Sequence, residues 1–226
     1  LYGNVLDRNN NSAYQYSVSA TVASGSGTVT GLTTSSRVGG LVTFTDLKVL
    51  SNPGVYAFTF SASLSPVVLT ARSVNYNVMA GEPGQLAVIA STTSAQAGKT
   101  GLNFTVTVRD AFGNAITAGD HKNITVSASI SGTTATLVSG GQVRANDSGI
   151  ATFSNLIVSG SVSDTITITF RVTFSPLAGG GTATVTSSAT TITLTPGDAT
   201  RVLLTTPAAG AASRVAFTTQ PQVSVV

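Results

Sequence analysis

The chain has 226 residues, of which 42% are hydrophobic and only 8% charged, with a formal net charge of +3. Its eleven Lys and Arg residues are scattered, with neither a basic cluster nor interleaved aromatics, which excludes the footprint of a nucleic-acid binder. Cys and Trp are absent, so no disulfide staples the fold, and no apolar run approaches the ~20 residues that a membrane-spanning helix needs.

Thr, Ser, Val, Ala and Gly dominate and no long amphipathic helix is readable, so the composition predicts an all-β chain. A transmembrane barrel is disfavoured by the 6% aromatic content and the lack of girdle spacing.

Read from its first residue, the chain is a repeat. Leu1-Tyr2-Gly3-Asn4 matches Ala111-Phe112-Gly113-Asn114, and Ser17-Val18-Ser19-Ala20 matches Thr125-Val126-Ser127-Ala128. Leu41 to Val49 matches Ile150 to Val158, aligning Phe44 with Phe153, and Thr59-Phe60 matches Thr169-Phe170. Gly81-Glu82 ahead of Leu86 matches Gly197-Asp198 ahead of Val202. The offsets cluster near 110 residues, the length of one sandwich domain. The expected units are residues 1–80, a repeat lacking its first strands; 81–196, a complete repeat; and 197–226, the opening strands of a third. Two explanations fit these ends: the segment is a window on a longer array, or, alternatively, the tail containing Phe217, Val223 and Val225 is a candidate strand donor that completes a neighbouring copy.

Within the middle unit, Phe104, Val106 and Val108 alternate with polar residues at period two, as do Ile124, Val126 and Ala128, and Ile166, Ile168, Phe170 and Val172. Further segments near 86–89, 135–143, 150–158 and 182–194 bring the expected count to about seven strands. Gly113-Asn114, like Gly3-Asn4, marks a tight turn that Asp110 can close through its side chain. The three glycines at 179–181 mark a longer hairpin tip.

The Phe217-Thr218-Thr219-Gln220-Pro221 segment, the Asp110-Ala111-Phe112-Gly113-Asn114 turn and the Gly149-to-Leu156 strand together resemble the bacterial Ig-like tandem repeats of large cell-surface and adhesin-type proteins. The resemblance implies immunoglobulin-like Greek-key β-sandwiches strung end to end as an extracellular filament, stalk or adhesin shaft. It implies a structural protein with no enzyme activity, whose partners are neighbouring repeats, other copies in a filament, or a glycan or host surface.

Sites are sparse. His121, the single histidine, sits in the polar run Gly119-Asp120-His121-Lys122 and reads as a solvated loop residue. No cofactor is expected. Calcium at the unit junctions is the alternative to a plain polar linker, with Glu82, Asp110 and Asp198 as candidate ligands, although each junction offers a single carboxylate where calcium takes 6–8 oxygens. Four Asn-x-Ser/Thr sequons, at Asn10, Asn103, Asn123 and Asn146, are candidate glycosylation sites placed on loops or outward strand positions. Loops at 7–14 and 140–149 are candidate recognition surfaces, and Gly81 to Gly84 is the expected hinge.

Overall fold

The computed structural model describes residues 17–31, 37–38, 41–64, 67–99 and 101–226, and among these it contains strands and no helix. The Gly3-Asn4 turn, the Asn10 sequon and the 7–14 loop lie outside the described residues. The strands fall into three groups along the chain, and no sheet is shared between groups.

The first group comprises β1 (Val18–Ser24), β2 (Gly27–Thr30), β3 (Arg37–Val38), β4 (Leu41–Val42), β5 (Lys48–Ser51), β6 (Gly54–Leu64), β7 (Val67–Arg72) and β8 (Tyr76–Val78). Strand β6 is the centre of its sheet, with β1 on one edge and β7 and then β8 on the other, while β2–β5 and β3–β4 form separate antiparallel pairs. Tyr56 is anchored at the root of β6, where its hydroxyl donates to the carbonyls of Ser26 and Asn52 at 3.0 and 2.8 Å.

The middle group comprises β9 (Pro83–Ala90), β10 (Ser94–Gln96), β11 (Leu102–Asp110), β12 (Thr125–Ser131), β13 (Thr136–Ser139), β14 (Gln142–Arg144), β15 (Ile150–Ser159), β16 (Ile166–Phe174), β17 (Ala183–Thr186) and β18 (Thr190–Thr195). One sheet runs β13-β15-β11-β9. The other runs β10-β18-β16-β12-β14, with β17 also paired to β16. The alternation of β11 buries Leu102, Phe104, Val106 and Val108, and that of β16 buries Ile166, Ile168, Phe170 and Val172, so both sheets present apolar faces to one core. Phe170 closes that core from the second sheet, 5.1 Å from the ring of Phe104 and 4.9 Å from that of Phe153. This is the arrangement of a β-sandwich. Each fully buried Phe contributes about 2–3 kcal/mol through removal of apolar surface from water.

The expected strand at 135–143 is two strands, and they belong to opposite sheets. The switch occurs at Gly140, whose φ of +81° only glycine adopts readily, and a Cβ there would stand 2.7 Å from the Asn155 carbonyl. The 182–194 segment is likewise broken, into β17 and β18. The break is pinned by Ser187, whose amide donates to Phe170 O at 2.8 Å while its Oγ accepts from Phe170 N at 3.0 Å.

The same device is built in the first group. The amide of Ser73 donates to Phe58 O at 2.8 Å and its Oγ accepts from Phe58 N at 2.7 Å, between β7 and β8. The repeat therefore recurs in three dimensions: Ala20 pairs with Phe60 as Ala128 pairs with Phe170, and Val29 faces Val49 as Leu137 faces Val158. The serine break has moved by two residues relative to Phe60, which keeps every side chain on its own face.

The third group is one antiparallel hairpin, β19 (Val202–Thr206) with β20 (Gln222–Val225).

Candidate functional site

Two apolar surfaces flank the closed middle sandwich. In the first group the rings of Phe44 and Phe60 stand 5.4 Å apart, the counterpart of the Phe153–Phe170 pair at 4.9 Å in the middle unit, yet Phe44, Phe58 and Phe60 are only half-buried. The middle unit covers the corresponding rings with β11 and β9. The described part of the first group has no strands in those positions.

The second surface is the β19–β20 hairpin, which exposes Val202, Leu203, Leu204, Val223 and Val225 at 47–67% of their full area. Its register reproduces that of β9–β11. Leu86 pairs with Val108, Ala87 with Thr107 and Val88 with Val106; Val202 pairs with Val225, Leu203 with Ser224 and Leu204 with Val223. Phe217 is also exposed and lies in the long connection between the two strands.

Each candidate calcium ligand accepts hydrogen bonds from the protein. Asp110, only 3% exposed, accepts from Phe112 N and Asn114 N at 2.9 Å each through Oδ1, and from Gly81 N and Asn114 Nδ2 at 3.0 Å each through Oδ2. Burial acts to raise its pKa. The bonds from the Asn114 side chain and from the amides of Gly81, Asn114 and Phe112 outweigh that and hold it below the ordinary carboxylate value. Gly113, with φ +89°, completes the turn, and Asn114 O accepts from Asp110 N at 2.9 Å. Glu82 accepts from the Leu177 amide, and Asp198 accepts from Gln96 Nε2 at 2.9 Å and from Lys99 Nζ. Among the described residues no group of three or more His, Cys, Asp or Glu is placed to hold a metal ion.

These bonds run against the hinge expected at Gly81 to Gly84. Gly81 is tied to Asp110, Pro83 is buried and paired with Asp110 in the ladder, and Gly84 lies so close to Ala111 that a Cβ would meet its N at 2.6 Å. Gly81 to Gly84 is thus part of the middle unit. Ala80 also packs against the core of that unit, and the Met79 side chain lies beside Gly119.

A polar groove of about 700 Å³ lies at one end of the middle sandwich, between Asp120–Thr125, Arg144 and Thr173–Leu177. His121 is half-buried in it, its ring 5.0 Å edge-on from Phe174 and its Nε2 buried without a hydrogen-bond partner, in contrast to the solvated loop residue expected. The tertiary contact with Phe174, invisible in local sequence, is the reason. Asn123 adopts φ +60°, and its Oδ1 is also buried and unpartnered. Lys122 pairs with Asp147 at 3.2 Å, and Arg144 Nε donates to Asn123 O at 2.8 Å across the rim. Hydrogen bonding from Lys122, then from Asn123, holds Asp147 below the ordinary value.

The sequons differ in accessibility. Asn146 is exposed on the β14–β15 turn, where its Oδ1 accepts from Ser148 N at 2.9 Å and Ile150 N at 3.0 Å. Asn103 keeps the outward side of the β11 alternation, between buried Leu102 and Phe104, but it is half-buried at the register shift and its Oδ1 is buried.

No protein-family model matches the chain, and no curated protein matches it.

Proposed function

We propose that the chain is a structural segment of an extracellular or cell-surface filament, stalk or adhesin shaft, built of tandem immunoglobulin-like Greek-key sandwiches and performing no catalysis. The observation that carries this reading is the repetition in space of one design, in which the serine-pinned strand break and the Phe44–Phe60 and Phe153–Phe170 pairs recur in successive units. Chain order supports the Greek-key assignment, because successive strands from β9 to β16 alternate between the two sheets. The resemblance to bacterial Ig-like surface repeats points the same way, and so does the placement of the junction carboxylates. Asp110 and Asp198 each tie a connecting segment to the middle unit, as a stiffened string of domains requires. Negative-stain electron microscopy of the native protein tests the reading: a fibre or rod with regular domain spacing is expected, and isolated compact particles overturn it.

A second reading, recognition of a glycan or host surface, is favoured by the groove, where two buried polar atoms, His121 Nε2 and Asn123 Oδ1, await a partner. Saturable glycan binding that is lost in His121→Ala and Arg144→Ala variants supports it; binding unchanged by both substitutions removes it.

A further inference from the structure

We infer that the groove end of the middle unit is a binding site for an uncharged, unbranched oligosaccharide, which crosses the Asn123–Arg144 contact and occupies a second groove beyond it. The inference rests on the second reading above and adds to it the chemical class of the glycan, its extended shape and the residues that read it.

Two grooves meet at that contact. The first is the groove of about 700 Å³ that holds His121, Thr173, Phe174 and Leu177. The second, of about 550 Å³, lies against Ala145, Asn146, Asp147 and Ser148, inside the 140–149 loop that the sequence marks as a recognition surface. Asn123 and Arg144 line both grooves, so the bond from Arg144 Nε to Asn123 O stands at their boundary. Each groove has the size of a small-molecule site, about 300–1,000 Å³, and a ligand that uses both is longer than either. In the second groove Asn146 Oδ1 is committed to Ser148 N and Ile150 N, which leaves its amide nitrogen to donate to the ligand.

The groups on offer select hydroxyls. Asn123 gives its side-chain amide nitrogen to Asp147, leaving Oδ1 buried with no partner among the described residues, and His121 Nε2 is in the same state. Oδ1 takes a donor, and Nε2 takes a donor or an acceptor according to its tautomer. A sugar hydroxyl is both at once and meets either need. Each atom forgoes a hydrogen bond in the free protein, so a ligand that reaches it gains more than from a bond to an already hydrated atom. Asn123 is also held at φ +60°, a backbone state uncommon outside glycine, and residues held in such states cluster at ligand clamps. The half-buried ring of Phe174 and the exposed Leu177 supply an apolar wall for the carbon face of a sugar ring. Charge then sets the class. Lys122 and Arg144 are balanced by Asp120 and Asp147, so neither an acidic nor a basic chain gains from the field of the grooves. A peptide docking by strand addition would have only β14, three residues long, to pair with at this edge.

The test is a printed array of unbranched neutral and uronic-acid oligosaccharides, from disaccharides to hexasaccharides, followed by calorimetry on the best chain and on its own disaccharide. The full chain is expected to bind neutral tetrasaccharides and longer chains at least ~10-fold more tightly than the disaccharide, and at least ~10-fold more tightly than uronic-acid chains of equal length. His121→Phe keeps a ring against Phe174 but removes Nε2, and Asn123→Gly keeps the left-handed backbone but removes Oδ1. Each is expected to weaken binding at least ~5-fold, the loss of about one hydrogen bond, with the thermal transition of the middle unit in place to show that the fold survives. A preference for uronic-acid chains, or equal affinity for the disaccharide and the longer chains, overturns the inference and leaves glycan recognition standing. An array with no binding, or binding unmoved by both substitutions, overturns the inference and the second reading together.

Discussion

Gly81 and Asp110 lie 29 residues apart, and a 3.0 Å hydrogen bond from the Gly81 amide to Asp110 Oδ2 joins the entry of the middle unit to the turn that ends β11. One carboxylate thereby fixes both a junction and a loop. Replacing Asp110 by Ala removes four accepted hydrogen bonds at a site that is 3% exposed and leaves the amides of Gly81, Phe112 and Asn114 without that acceptor. We expect a loss of about 3 kcal/mol from the middle unit, read as a lowered urea midpoint at unchanged slope.

The same carboxylate makes stability depend on acid. Its folded-state pKa is depressed below the ordinary 3.8, so its contribution is fully present above that value and is lost as pH falls through the folded-state one. Thermal melts between pH 6 and pH 2 are expected to show a fall confined to the acid end, and Asp110→Asn to flatten it. The exposed Asp147, Asp164 and Asp198 are depressed by hydrogen bonds as well, but solvent screening leaves them a minor part.

Ser187 and Ser73 offer a matched pair of substitutions. Ser187→Ala deprives the Phe170 amide of its acceptor at the edge of a closed core, and a cost of about 1–2 kcal/mol is expected in chemical denaturation. Ser73→Ala removes the equivalent bond to Phe58, whose surroundings are half-open to water, so the loss there should be smaller. Equal losses would contradict the difference in burial.

Expression in a glycosylating host should modify the described sequons unequally. Asn146 is exposed on a turn, whereas Asn103 has a buried carbonyl and the Asn123 side chain is engaged with Asp147. Peptide mass spectrometry is expected to find glycan at Asn146 in large excess over Asn103 and Asn123.

The faces of β11 and β16 were readable because alternation is a local property: Phe104, Val106 and Val108, and Ile166, Ile168, Phe170 and Val172, are buried as their period implies. The Asp110 turn was readable from its own five residues. What escaped reading depends on distant partners. Gly140 falls inside the expected 135–143 strand, and the approach of Asn155 explains why the chain changes sheet there. Strand β10, three residues long, has no periodicity to detect. His121 owes its burial to Phe174, 53 positions away in sequence.

That short strand has a mechanical meaning. β10, near the start of the middle unit, runs parallel to β18, its last strand, with Ser94 beside Thr193 and Gln96 beside Thr195, and bonds from Thr193 N to Thr93 O at 2.8 Å and from Ala97 N to Thr195 O at 3.1 Å extend the pair. When two parallel neighbours are pulled from opposite ends, tension runs along both and their bonds are loaded together in shear rather than opened one by one. A unit tethered at both ends would resist extension as a clamp, holding until the whole short ladder ruptures at once.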